Sequence, residues 1–314
     1  MSIASNSLPW GISCLRISVT GECNLHCPHC ISPEGTKPLP SGDMLSNEEF
    51  AFIVRSAVDM GISKIRLTGG EPLARPGIIR LIQMISEIEG IRDISMTTNG
   101  TLLAQNAEAL VEAGLHRVNV SLDTLKYERY RKMTLNGDLS DALKGIDAAL
   151  KAGLSPVKIN FVPMQGINDD EIADFAMMTI KPGWHVRFIE PSPANRAARF
   201  VPFDIICRNL GSLGILEPFN GMSGNGAARY FHLPGASGTI GFMDPVSGPY
   251  CQDCNKLLLS PSGMLFPCLL SKAALDITTP LRKEGGMEAI KQVFREAAAA
   301  KPDTPGATHG KVRS

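Results

Sequence analysis

Cys23-Asn24-Leu25-His26-Cys27-Pro28-His29-Cys30 follows Leu15-Arg16-Ile17-Ser18-Val19-Thr20, a β-branched apolar run that reads as a buried strand. Gly21 breaks that strand, so one loop offers three sulfurs, separated by three and then two residues. Three thiolates on one loop suit three irons of a 4Fe-4S cube, leaving the fourth iron open for a substrate or cofactor; ferredoxin-type runs use other spacings and a fourth cysteine. A zinc site would need a fourth ligand, which His26 or His29 could supply, although His29 adjoins Cys30 and is awkwardly placed. A disulfide would leave one cysteine over and would require an oxidising compartment.

The bulk numbers narrow the field. With 31 basic and 31 acidic residues in 314, the chain has no electrostatic footprint for general nucleic-acid binding, but a local basic pocket for a phosphorylated small molecule stays open. Residues 1–9 carry neither a basic nor an apolar region of a signal peptide, and no run is long enough to span a membrane, so a cytoplasmic protein is expected. Six of the eight cysteines form two triplets, the second being Cys251-x-x-Cys254 with Cys268 after thirteen intervening residues. In a reducing compartment such clusters read as metal ligands. The second is a zinc site completed by His232, or a second cube with an open iron. Cys14 and Cys207 read as small core residues.

Outward from the first loop, Ser46 and Glu49 make a capping box that starts a helix ending near Gly61. Strands are predicted at 15–20, 64–68, 93–97, 117–122, 157–163 and 185–190, with helices at 77–89, 103–114, 139–153 and 169–180 between them. Six βα units predict an α/β fold, a partial (β/α)6 barrel, with a doubly wound sheet as the alternative. Beyond Pro191 the alternation stops. The expected division is a barrel over 10–200, a C-terminal extension over 201–300 carrying the second triplet, and a disordered tail over 301–314. Chemistry belongs at the carboxyl ends of such strands, where the cysteine loop, Gly69-Gly70-Glu71, Asn99, Ser121, Asp123, Lys158, Arg187 and Glu190 are expected on one rim.

Gly69-Gly70-Glu71-Pro72 reads as a tight turn with a surface glutamate, or as a place where glycines admit close approach and a carboxylate accepts from an ammonium. Ser121 is an ordinary strand-end serine or a hydrogen-bonding group for a cofactor, and Asn99-Gly100 is a turn. Arg16, Lys64, Arg66, Lys158 and Arg187 fall in strands that otherwise look buried. They are either paired with Glu71, Asp123 or Glu190, or form a cationic pocket for phosphate.

These strings, with Lys64-Ile65-Arg66-Leu67-Thr68-Gly69-Gly70-Glu71-Pro72-Leu73, Arg117-Val118-Asn119-Val120-Ser121-Leu122-Asp123, Pro156-Val157-Lys158-Ile159-Asn160, Arg187-Phe188-Ile189-Glu190-Pro191 and both triplets, resemble the GTP 3′,8-cyclase family of the radical S-adenosylmethionine (SAM) superfamily over about residues 10–285. The resemblance implies a lyase with two 4Fe-4S clusters and SAM, on a partial barrel whose C-terminal extension carries the second cluster. Cys23, Cys27 and Cys30 would hold the cluster that cleaves SAM to a 5′-deoxyadenosyl radical, which takes hydrogen from the ribose 3′ carbon of GTP. Closure on guanine carbon 8 yields 3′,8-cyclo-7,8-dihydro-GTP, the first step of molybdenum cofactor biosynthesis. Cys251, Cys254 and Cys268 would hold the second cluster, which binds the purine. By the same resemblance Gly69, Gly70, Glu71, Ser121 and His29 contact SAM, while Arg16, Arg66, Thr97, Lys158 and Lys256 contact GTP, Arg16 also counting with the catalytic cysteines.

Implied partners are an electron donor such as flavodoxin or ferredoxin and a downstream cyclic pyranopterin monophosphate synthase, for a monomer or homodimer. The chain departs from the family where two alternating arginines follow the second CxxC, here Lys256 and Leu258. It also departs at His29, where an aromatic is usual, at Ser192, where a methionine is usual, and at its last residues, which lack a Gly-Gly pair. The alternative is a two-cluster paralogue acting on another nucleotide, small molecule or peptide. On the leading reading, Cys27→Ala abolishes 5′-deoxyadenosine formation from SAM under a strong reductant. Undiminished cleavage in that variant would overturn the motif.

Overall fold

Six strands follow one another in chain order, each parallel to the next: β1 (Cys14–Ser18), β2 (Lys64–Thr68), β3 (Asp93–Thr98), β4 (Arg117–Ser121), β5 (Val157–Phe161) and β6 (His185–Ile189). A doubly wound sheet would reverse its winding partway, so the consecutive order selects the partial barrel. The computed structural model describes residues 8–28, 30, 44–190, 201–221, 228–243, 254–269, 271, 273–283 and 285–301. His29, Ser192, Cys251 and residues 302–314 lie outside the described residues, whereas Lys301, expected to begin a disordered tail, is placed and buried.

The sheet continues past both ends of this array, using residues in which the sequence showed no βα alternation. On one flank β9 (Ile240–Met243) runs parallel to β6 and leads antiparallel to β8 (Arg229–His232) and β7 (Glu217–Phe219). On the other, β10 (Lys256–Leu259) runs parallel to β1 and leads antiparallel to β11 (Met264–Phe266) and β12 (Leu275–Asp276). β9 and β10 do not pair with each other, which leaves the sheet open.

Alternation with period two divides every strand. Leu15 and Ile17, Ile65 and Leu67, Ile94 and Met96, Val118 and Val120, Ile159 and Phe161, Val186 and Phe188, and Leu257 and Leu259 share one face in a single apolar core. Covering them are α1 (Asn47–Val58), α2 (Ile78–Ser86), α3 (Ala107–Glu112), α5 (Leu139–Lys151) and α6 (Ile172–Met177). The capping box is present: Glu49 N–H donates to Ser46 Oγ (3.1 Å) and Ser46 N–H donates to the Glu49 carboxylate (2.8 Å). Phe161 stacks on Phe175 at 4.0 Å, and Phe203 of α7 (Phe203–Gly211) meets Phe242 edge-on, which seats β9 on the same core. Cys14 is buried, but Cys207 is exposed because α7 turns Ile206 and Leu210 inward instead.

Three helices went unforeseen because each buries too little to make a stripe: α4 (Tyr127–Thr134) buries only Tyr130, Met133 and Thr134, α7 only Ile206 and Leu210, and α8 (Thr278–Arg282) none. The longer α9 (Gly286–Ala299) buries Ile290, Phe294, Ala297 and Ala298. No helix among the described residues is long and apolar enough to cross a membrane.

α5 lies so close to the turn after β3 that a Cβ at Gly145 would stand 2.1 Å from the Gly100 carbonyl oxygen. Alanine there would gain about 1 kcal/mol of helix propensity but meets fixed backbone, and overpacking costs about 1–3 kcal/mol. Gly145→Ala should therefore lower the denaturation midpoint at unchanged slope, rather than raise it as at an exposed helix glycine.

Candidate active site

The first cysteine loop is held mainly from outside itself. Asn24 Nδ2 donates to Thr101 Oγ1 (2.9 Å), Asn99 Nδ2 donates to Asn24 Oδ1 (2.9 Å), and Asn136 Nδ2 donates to the Asn24 carbonyl (2.8 Å). His26 N–H reaches the Thr134 carbonyl at the end of α4 (3.1 Å). Arg75 ties the root of the loop, donating to the carbonyls of Val19 (2.6 Å) and Leu45 (2.9 Å) while lying over the Phe50 ring. Of these residues the sequence singled out Asn99, which reads there as a turn, and His26, as a possible zinc ligand, but neither for holding the loop. Asparagines near turns are too common for their partners to be guessed.

The three thiols suit an iron–sulfur cube. Burial pushes Cys27 up to about 12, with Cys30, Cys23 and Asp123 adding to it; burial likewise raises Cys23 and Cys30. Thiolates this close persist when a metal body supplies positive charge. Among the described residues no three His, Cys, Asp or Glu side chains are drawn up tightly around a point for one metal ion.

The Gly69-Gly70-Glu71 turn is docked edge-on against this loop. Gly70 N–H donates to the Thr20 carbonyl and Glu71 N–H to the Glu22 carbonyl, both at 2.8 Å. A Cβ on Gly70 would fall 2.1 Å from Glu22 O, and one on Gly69, at φ +144°, would fall 2.4 Å from Thr20 O. Glycine is required here because two backbones touch. The Glu71 carboxylate has no solvent exposure and accepts from Thr98 Oγ1 (2.8 Å), Asn99 N–H (2.7 Å) and Leu73 N–H (3.0 Å). Burial raises its pKa against those three donors. The carboxylate expected to accept an ammonium is thus spent on joining the ends of β2 and β3, and the backbone of the two glycines faces the cysteine loop.

The other parity of the strands forms a polar interior. Register sets Arg16, Arg66, Ser95 and Arg117 in one row, then Thr97, Asn119, Lys158 and His185, then Ser121, Asn160 and Arg187. Lys256 stands beside Cys14, and Leu258 beside Arg16. Arg16 Nε donates to Thr68 Oγ1 (3.3 Å), Arg117 pairs with Asp93, and Arg187 Nη2 donates to Asn119 Oδ1 (2.7 Å) and Asn160 Oδ1 (2.5 Å). Lys158 Nζ lies 5.2 Å from the Tyr230 ring centre. The Arg66 Nε is buried and has no hydrogen-bond partner among the described residues.

Burial, then the charges of Arg187, Arg117 and Arg66, bring Lys158 down to about 7; burial and Arg66 bring Lys256 to about 8. The like charges of these cations oppose one another's protonation. Asn119 and Arg117 belong with them, and the period-two argument that picked out Lys158 would have found both.

The second cysteine site, for which the sequence set no position relative to the rim, opens at a separate mouth. The first cysteine loop, Gly69–Gly70, Asn99 and Ser121 lie at the carboxyl ends of the strands. Cys254 precedes β10, whose first residue pairs with the first residue of β1, so it lies at the amino ends. Cys254 and Cys268 are both half-buried at the open end of the β10–β11 hairpin. His232 is on β8 of the other flank, its Nδ1 bonded to the Gly238 carbonyl at 2.9 Å. The cationic rows run between the two cysteine sites.

Comparison with known proteins follows the same division. The family described as Radical SAM superfamily matches residues 17–178, and that described as Molybdenum Cofactor Synthesis C matches 184–306. The chain is 47% identical over 298 residues to the GTP 3′,8-cyclase of Pelotomaculum thermopropionicum, covering 93% of this chain and 92% of that one. It is 44% identical to the GTP 3′,8-cyclase of Desulforamulus reducens, covering 93% and 91%. Streptococcus suis SuiB, solved with S-adenosylmethionine, shares the fold at TM-score 0.63 and 14% identity, covering 93% of this chain and 69% of SuiB.

Gly70→Ala tests the docked turn. The added methyl pushes Glu22 off its contact, so reconstituted protein should lose the iron of the first site while keeping that of the second. Full iron content with unaltered SAM binding would show the close approach to be dispensable.

Proposed function

The chain belongs to the radical SAM superfamily and, within it, to the GTP 3′,8-cyclase family, and from that membership we propose that it cyclises GTP to 3′,8-cyclo-7,8-dihydro-GTP, the first step of molybdenum cofactor biosynthesis. The observation that carries the reading is a cationic interior, in a chain of zero formal charge, lying between two cysteine sites. A triphosphate would relieve the mutual repulsion of Arg66, Lys158, Arg187 and Lys256 and supply the acceptor that Arg66 Nε lacks.

The cube held by Cys23, Cys27 and Cys30 supplies, when bound, the electron that breaks SAM to a 5′-deoxyadenosyl radical. The Gly69–Gly70 backbone and Ser121 hold SAM at the carboxyl-end mouth. Arg16, Arg66, Thr97, Lys158 and Lys256 hold GTP below it, Arg16 lying mid-strand to aim the nucleotide at the radical. Cys251, Cys254 and Cys268 would hold a second cube that binds the purine, Cys254 and Cys268 lying at the amino-end mouth. A flavodoxin or ferredoxin is the electron donor, a cyclic pyranopterin monophosphate synthase takes the product onward, and the cytoplasm is the setting. A second reading, another nucleotide on the same scaffold, draws on Leu258, which stands beside Arg16 in the polar row.

Anaerobic GTP titration tests both. A charge-assisted contact contributes on the order of 1.5–3 kcal/mol, so Leu258→Arg should tighten GTP binding about tenfold or more. A bound polyanion favours protonated Lys158 and raises its pKa from about 7. GTP binding should therefore take up a proton near neutral pH, and affinity should fall as pH rises above about 7. If neither protein binds GTP below millimolar and neither yields a cyclised nucleotide, the second reading replaces the first.

A further inference from the structure

Lys301 follows the last turn of α9, and its side chain is buried, 7% exposed. The ammonium Nζ donates to Cys254 Sγ (3.5 Å), to the Lys256 carbonyl (2.9 Å) and to the Pro267 carbonyl (3.5 Å). An ammonium has three N–H groups, so these acceptors use all of them. They come from both arms of one hairpin: Cys254 and Lys256 on the arm entering β10, Pro267 on the arm leaving β11, next to Cys268.

The apolar face of α9 seats the helix, and Lys291 pairs with Asp59 at 2.8 Å, so the lysine is delivered by a packed element rather than a free strand of chain. A cation this far from water is costly unless a negative charge meets it. Two of its three acceptors are neutral carbonyls. The Cys254 sulfur, as a thiolate, is the partner able to carry the charge.

We propose that Lys301 is a positioning residue of the second cluster, clamping the two cysteine arms together and raising the cluster's reduction potential through its charge and its N–H···S bond. The inference rests on the two-cluster reading above. Reduction adds negative charge to the cube and its sulfurs, and a cation bonded to one of those sulfurs stabilises the reduced state more than the oxidised one. None of the motifs flags this lysine, which stands 33 residues after Cys268.

The test uses full-length protein reconstituted anaerobically, with Lys301→Gln, which keeps a donor without charge, and Lys301→Met, which keeps neither. Redox titration followed by electron paramagnetic resonance separates the two clusters. The expected result is a second-cluster midpoint that falls from wild type to Gln and further to Met, while the first cluster's midpoint stays put. Loss of roughly half the iron in the Met variant, with the Gln variant still loaded, also supports the clamp. A fully loaded Met variant with the wild-type midpoint overturns the proposal. So does equal loss of second-cluster iron from both variants, since a retained donor should rescue assembly. Wild-type protein that binds only one cube overturns the two-cluster reading itself, and the iron content shows which of the two has failed.

Discussion

Glu71 sits out of contact with water where the ends of β2 and β3 meet, accepting from Thr98, Asn99 and the Leu73 amide. The arrangement of the carboxyl-end mouth depends on this buried carboxylate. Through its own amide it also hangs on Glu22, so one residue couples two strand ends to the cysteine loop. Removing a hydrogen-bond partner from such a group costs about 1–3 kcal/mol, while the carboxylate itself is tolerated only because three donors surround it. Asn99 then passes the constraint on to Asn24, and Asn136 reaches the same residue from beyond α4. The loop is therefore positioned by side chains that lie outside it.

Below that mouth the structure accepts electrostatic tension. Burial and like charge bring Lys158 down to about 7 and Arg187 down to about 10, the latter's Nη2 donating to Asn119 and Asn160. Stability alone would favour pairing each cation with a carboxylate, as Arg117 is paired with Asp93. Lys158, Arg187 and Arg66 nonetheless share one interior, so their like charges work against one another.

The C-terminal third contributes at both flanks. β9 extends the array beyond β6 and β10 extends it before β1, so residues far apart in the chain, such as Cys14 and Lys256, become neighbours. That pairing carries Cys254 to the amino-end mouth, and α9 brings Lys301 onto its sulfur. The second cysteine site is built onto the barrel sheet itself, which fixes its distance from the cationic rows.

Local patterns were enough to show the six βα units, the capping box at Ser46, the cysteine loop and the parity of Arg16, Arg66 and Lys158, because each depends on residues a few positions apart. They missed α4, α7 and α8, whose buried residues are too few to make a stripe, and β7 to β12, whose short runs resemble loops until a neighbouring strand supplies hydrogen bonds. Parity tells which face a side chain takes but not its height, and strand register is set by packing along the whole sheet. Tertiary structure alone therefore set the second cysteine site at a mouth of its own and turned Glu71 inward. It also aligned Leu258 with Arg16 and brought Lys301 to Cys254, 47 positions away, because a contact across that length of chain is decided by how elements pack and not by any spacing within it.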